Sequence, residues 1–202
     1  MSSDIGLPHL LALAAALGWA SGMRLYATVF IVGLAGRLGW LPLPAGLEVL
    51  EHPAVMTVAG LLMVVEFFAD KIPGIDSLWD VLHTVIRIPA GAALAAAALG
   101  ADSQTWAVVA ALMGGALAAT SHAAKAGTRA AANSSPEPFS NIALSLAGDA
   151  MVPTLLWLSW AHPFAFFCVL ALLVLLAALL IRLTFRLLRG LVRKIRRRAS
   201  PT

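Results

Sequence analysis

Charge is scarce in this chain: 12% of its 202 residues are Asp, Glu, Lys or Arg, while 60% are apolar. Soluble domains carry roughly 25% charged residues, so the shortage excludes water as the main solvent and points to lipid. Cysteine is nearly absent as well. The single thiol, Cys168, lies inside an apolar run, which excludes an intramolecular disulfide and any Cys-based zinc site. The amino terminus, MSSDIGLPHLL, lacks Lys and Arg, and its apolar run continues too far for a signal-peptide core, so it is expected to stay as the first span. No Walker loop, nucleophile elbow, HExxH or other complete catalytic motif is present. An enzyme is therefore not expected, nor a cofactor or bound metal, and His9, His52 and His162 stand alone, as interfacial histidines do.

What is present reads as an all-α polytopic membrane protein of about six helices. The segments run from Pro8 to about Gly36, Pro53 to about Ile72, about Leu78 to Leu99, about Gln104 to Ala132, Glu137 to Trp160 and Pro163 to Ile181. Only the last is free of charge. Pro89 is expected to kink the third segment, because proline removes a helix hydrogen bond. Pro42 and Pro44 close the first unit, Pro73 and Gly74 follow the second, and Ser135-Pro136 reads as an N-cap with proline at the first helical position. Residues 1–181 form the transmembrane domain and 182–202 a basic cytoplasmic tail.

The formal charge of +4 is concentrated between Arg182 and Arg198, which makes it a topological signal first. The inner segments then carry Lys71, Arg129 and the tail, while the outer connections around Glu48 and Glu51, Asp102 and His162 have no Lys or Arg apart from Arg37 at a boundary. That bias predicts a cell inner membrane protein with both termini cytoplasmic. The tail sets Arg182, Arg186, Arg189 and Arg193 along one helical side, followed by Lys194, Arg196, Arg197 and Arg198. Anionic lipid headgroups are its expected partner; nucleic acid is not, and assembly into a homo-oligomer is left open.

A weak repeat is readable. Gly22-Met23-Arg24 recurs as Gly127-Thr128-Arg129, and Ala69-Asp70-Lys71-Ile72-Pro73 recurs, with one insertion, as Gly148-Asp149-Ala150-Met151-Val152-Pro153. Two three-helix units, 8–100 and 104–181, would be inverted relative to each other, as in many transporters, although chance similarity of short strings explains the match equally well.

Ionisable side chains at membrane depth cost about 2.5–3.5 kcal/mol or more each, so Arg24, Glu66, Asp70, Lys125, Arg129 and Asp149 need partners or water. Glu66 and Asp70 share a helical face, and Asp76, Asp80, His83 and Arg87 continue it at steps of four, three and four. This stripe reads either as a proton or cation pathway or as fixed ion pairs holding spans together. His122, Lys125 and Arg129 form a second, cationic group beside the polar stretch 133–141, suited to an anion or to pairing with Asp70. Gly18 and Gly22 form a GxxxG spacing that permits close helix packing. Counting rise along each segment pairs Arg24 with Asp149 toward the outer side and Arg129 with Asp70 toward the inner side, where Glu66 and Lys125 join them.

The stretches EFFADKIPGIDSLWDVLHTVIRIPAGA, from Glu66 to Ala92, and SHAAKAGTRAAANSSPEPFSN, from Ser121 to Asn141, resemble a bacterial membrane family known as domain of unknown function 4126. The similarity covers most of the chain from about Gly18 to Trp160. An acidic pair is typical of that family where this chain has Gly148-Asp149, so one carboxylate is missing here. The resemblance implies membrane class and no particular activity. A small-solute or ion transporter or channel is the leading expectation, because intramembrane charges, broken helices and an inverted repeat belong together in such proteins. The alternatives are a noncatalytic membrane scaffold or assembly factor, and a lipid-phosphate binding protein or flippase using His122, Lys125 and Arg129.

Overall fold

The computed structural model describes residues 6–100, 103–133 and 139–199, without side chains at 187–188 and beyond 190. The expected N-cap at Ser135-Pro136, the connection at Asp102 and the side chains of the tail's last arginines lie outside the described residues. Six α-helices follow one another: α1 (Leu7–Arg37), α2 (Pro53–Ala69), α3 (Ile75–Leu99), α4 (Gln104–Ala132), α5 (Phe139–Ala161) and α6 (Pro163–Ala199), with a short 3-10 helix, Ala45–Glu51, before α2. Five of these helices are long and apolar enough to cross a membrane. The 3-10 helix and α2 together make a sixth candidate bent by 68°. At about 1.5 Å per residue, the 17 residues of α2 span only about 25 Å, short of a hydrocarbon core of about 30 Å.

Local chemistry sets these limits. His52 is extended and caps α2 by accepting a hydrogen bond from the Ala54 N–H at 3.2 Å, with Pro53 behind it at the first helical position. The turn into α3 needs Gly74, whose φ of +88° lies where only glycine sits comfortably. Asp76 then accepts from the N–H groups of Gly74 and Ser77 at 2.8 and 2.6 Å, closing the start of the helix.

The backbone break falls elsewhere than expected. α3 runs through Pro89 from Ile75 to Leu99, whereas α1 is interrupted at Arg24, which leaves helical geometry at φ −148° and ψ 82°. α1 is therefore two helical halves, 7–23 and 25–37. Its first half is the core of the molecule, with Ala12 to Leu17 almost wholly buried, and α1 touches each of the other five helices. Leucines, valines and phenylalanines on the outward faces of α2 to α6 are left exposed, as a lipid-facing surface requires.

Glycines bring α1, α3 and α4 together. A Cβ on Gly18 would stand 2.6 Å from the Cα of Gly114, and one on Gly114 would stand 2.6 Å from the carbonyl oxygen of Gly91. Gly22 likewise lies against the Ala118 backbone and the Ser121 hydroxyl. The GxxxG spacing thus serves the α1–α4 contact, where packing of backbones replaces the missing hydrophobic drive between helices. α6 continues as one helix past Ile181 to Ala199, with no break where the transmembrane segment was expected to give way to a tail.

Candidate functional site

Ten charged residues from five helices and one turn meet in a single cluster. The acids are Glu66, Asp70, Asp76, Asp80 and Asp149, and the bases Arg24, Lys71, Arg87, Lys125 and Arg129, so their formal charges cancel. Asp70, the residue capping the end of α2, is its centre. One of its oxygens, Oδ2, receives the Arg24 guanidinium, the Lys125 ammonium at 2.8 Å and Arg129 at 3.1 Å. Three cations on one oxygen offset the cost of an ionised carboxylate at 0% exposure, a cost that a single partner often fails to recover.

Arg24 spans the cluster. Beyond Asp70 it reaches Asp149 at 2.8 Å and donates to the Ser145 hydroxyl and carbonyl at 2.9 and 3.0 Å and to the Glu66 carbonyl at 3.3 Å. Lys71 holds the other Asp149 oxygen at 3.0 Å. On the far side, Arg87 bridges Glu66 at 2.6 Å and Asp80 at 2.8 Å, and Asp80 also meets Lys125 at 3.1 Å. Arg129 reaches Asp76 at 3.3 Å, and Asn133 donates to both Asp76 oxygens at 3.1 Å. Asn141, also buried, has its amide toward Asp76 but forms no bond of good geometry.

Two histidines border the network, and their tautomers follow from their neighbours. The His122 ring faces Arg87 with Nδ1 at 3.3 Å and has the Gly22 backbone beside it, and its Nε2–H donates to Thr84 Oγ1 at 2.8 Å, whose own hydrogen is engaged elsewhere. Thr84 passes its own proton to the Asp80 carbonyl at 3.0 Å. His83, stacked on Trp79, donates from Nδ1 to the Trp79 carbonyl at 2.8 Å and accepts from the Tyr26 hydroxyl at 3.0 Å.

The break in α1 feeds the same cluster. Carbonyls around Arg24 accept from side chains: Trp19 from Ser121 at 2.8 Å, Met23 from Lys125 at 3.1 Å, and Arg24 from Thr28 at 2.7 Å. Several buried atoms still lack partners among the described residues, including Glu66 Oε2, Asp70 Oδ1, Arg87 Nε and the Trp19 indole N–H. Only Lys71 and Asp149 are appreciably open, with side chains 19% and 24% exposed.

Two clefts flank Arg24. One, of about 280 Å³, lies between α1, α4, α5 and α6 and is lined by Arg24, Lys125 and Arg129 with apolar side chains around them. The other, of about 410 Å³, lies between α1, α2 and α5 and carries Arg24, Glu66 and Asp149.

The structure thus brings together all eleven expected residues: Arg24, Glu66, Asp70, Asp76, Asp80, His83, Arg87, His122, Lys125, Arg129 and Asp149. Both expected pairs form, Arg24 with Asp149 and Arg129 with Asp70, but their assignment to opposite sides of the membrane is corrected. Arg24 touches both aspartates at once, so the two pairs share one depth. The count ran from Pro8 alone, whereas measured from both ends of α1 Arg24 lies close to its midpoint, as Asp149 does in α5. The two Gly-x-Arg motifs also differ in backbone: Arg24 interrupts its helix, and Arg129 lies inside an unbroken α4. Lys71, Ser145, Asn133, Thr84 and Tyr26 were missed. Lys71 carried a signal through its place beside Asp70, and Asn133 as the start of the polar stretch 133–141. The remaining histidines are peripheral, His52 as the α2 cap, and His9 and His162 against Trp160 and Trp157.

Residues 11–183 match the family described as a domain of unknown function, DUF4126, and the chain belongs to that family. No curated protein and no solved structure matches it.

Proposed function

We propose that this DUF4126 protein is a multi-pass transporter of a small solute or ion, in a bacterial-type inner membrane with both termini cytoplasmic. The observation that carries the reading is the interruption of α1 at Arg24, inside a buried charge cluster and between two clefts. Broken helices at membrane depth occur where the backbone lines a cavity or is held by protein, and transporters place their sites there. Arg24 holds the buried Asp70 with one amino group and the more open Asp149 with the other. A proton or cation arriving at Asp149 from the α2 side weakens that second grip and frees one arm of the guanidinium. Two-state motion of Arg24 between the aspartates is the device this geometry supports.

The test is reconstitution in proteoliposomes with a trapped pH-sensitive dye and a panel of ions and small anionic solutes. Flux above protein-free vesicles is expected for at least one solute, reduced about tenfold, or 1.4 kcal/mol, in Asp149→Asn. Absence of flux across the panel, from protein with a cooperative thermal melt, would overturn transport. The balance of five acids against five bases favours a second reading, a membrane scaffold whose charges are structural glue, and that reading would then stand.

A further inference from the structure

The smaller cleft is electrically one-sided. Arg24, Lys125 and Arg129 are its only charged lining residues, and each is at least nine-tenths buried. The acids that neutralise them lie elsewhere: Glu66 and Asp149 line the opposite cleft, and Asp70, Asp76 and Asp80 line neither. A group entering here meets the cationic side of a neutral cluster. Low-dielectric walls strengthen that field, since apolar side chains from α5 and α6 complete the cleft.

Three further observations narrow the ligand. The buried Trp19 lines the same cleft, and its indole N–H, a donor that suits an anionic oxygen, has no partner among the described residues. Gly148 leaves space beside Arg24, because a Cβ there would meet nothing nearer than Arg24 Nε and Met23 Cε, each at 3.8 Å. The mouth is apolar and faces lipid: Leu144 and Leu176 line it and are 38% and 48% exposed. The volume of about 280 Å³ equals roughly nine waters at about 30 Å³ each, enough for an acidic head and the first part of a chain.

We propose that this cleft binds an anionic amphiphile, one carboxylate or phosphate head on an alkyl chain, with the head on Arg24, Lys125 and Arg129 and the chain leaving between Leu144 and Leu176. The head competes with Asp70 Oδ2, on which all three cations converge, and offers them more than one oxygen. Its standing as a transported substrate, rather than a bound lipid, rests on the transport reading above.

The experiment is equilibrium quenching of tryptophan fluorescence by bromododecanoate, with the full chain in nanodiscs of neutral lipid. Saturable quenching is expected, lost in Trp19→Phe, absent with the neutral bromododecanol and unaffected by inorganic phosphate. Competition by inorganic phosphate would replace the amphiphile with a free anion and overturn the proposal. Gly148→Leu fills the cleft beside Arg24 without removing a charged group and is expected to weaken binding at least about tenfold. Unchanged binding in that variant, with a wild-type melting temperature, would also overturn it. Saturable binding without flux in vesicles would sustain the site and remove its transport role. Flux of a water-soluble solute without saturable quenching would remove the site and leave transport standing.

Discussion

Replacing Arg87 by methionine tests whether the cluster is held by pairing or merely tolerated. Arg87 is fully buried, and its 2.6 Å contact is the only ion pair that Glu66, 1% exposed, makes among the described residues. Asp80 loses a contact at 2.8 Å but keeps Lys125 at 3.1 Å, so the damage concentrates on Glu66. Stranding one member of a buried pair costs about 3–5 kcal/mol. For a chain of this size about 1 kcal/mol moves the melting temperature by roughly 2–4 °C, which places Arg87→Met on the order of 6–20 °C below wild type in detergent. Glu66→Met combined with Arg87→Met removes both charges and is expected to recover more than half of the loss, because an apolar pair of similar volume often substitutes for a buried ion pair without penalty. A single variant within about 3 °C of wild type, or a double variant no better than the single, would refute the assignment of Glu66 to Arg87.

Gly18→Ala is expected to cost about 1–3 kcal/mol, since its Cβ meets the Gly114 backbone, whereas Gly190→Ala, with open space around it, should be neutral or gain up to about 1 kcal/mol; paired thermal melts decide. Thr84→Val leaves the buried His122 Nε2–H unpaired and should cost about 1–3 kcal/mol, more than Tyr26→Phe, whose partner His83 retains its bond to Trp79; equal melts would contradict the tautomers given above. Asn133→Asp places a carboxylate where an amide now donates to Asp76 and is expected to destabilise more than Asn133→Ala, and the reverse order would show that the amide bonds contribute nothing. A reporter fused after Thr202 should be active only in the cytoplasm, and activity on the other side alone would overturn the topology.

The charged cluster was legible because apolar surroundings make every ionisable residue conspicuous. Glu66 and Asp70, then Asp76, Asp80, His83 and Arg87, fall on one face by spacing alone, and α4 matches its expected limits from Gln104 to Ala132. Depth was misjudged because it was counted from one end of each segment, and side-chain reach lets one guanidinium join aspartates on two helices. α1 runs 17 residues before its break, 7–23, and 13 beyond it, 25–37, and nothing in Gly22-Met23-Arg24 announces the break. Pro89, expected to kink the third segment, does not end it: α3 runs through it, packed against α1 and α4. The second-rank polar contacts, such as Ser145 with Arg24 and Thr84 with His122, depend on three-dimensional neighbours that spacing cannot reveal.

The interruption at Arg24 also has a consequence for biogenesis. Near it, the carbonyls of Trp19 and Met23 accept from Ser121 and Lys125, each 102 residues later in the chain. At about 5–20 residues per second, a ribosome takes roughly 5–20 s to make that distance. Asp70, the first carboxylate that Arg24 pairs with, is also made later than α1, and until then the guanidinium is unpaired, which a bilayer rejects by about 2.5–3.5 kcal/mol for the charge alone. The helix that becomes the core of the finished protein therefore carries a charge whose carboxylate partners all lie later in the chain, after α2 and in α5.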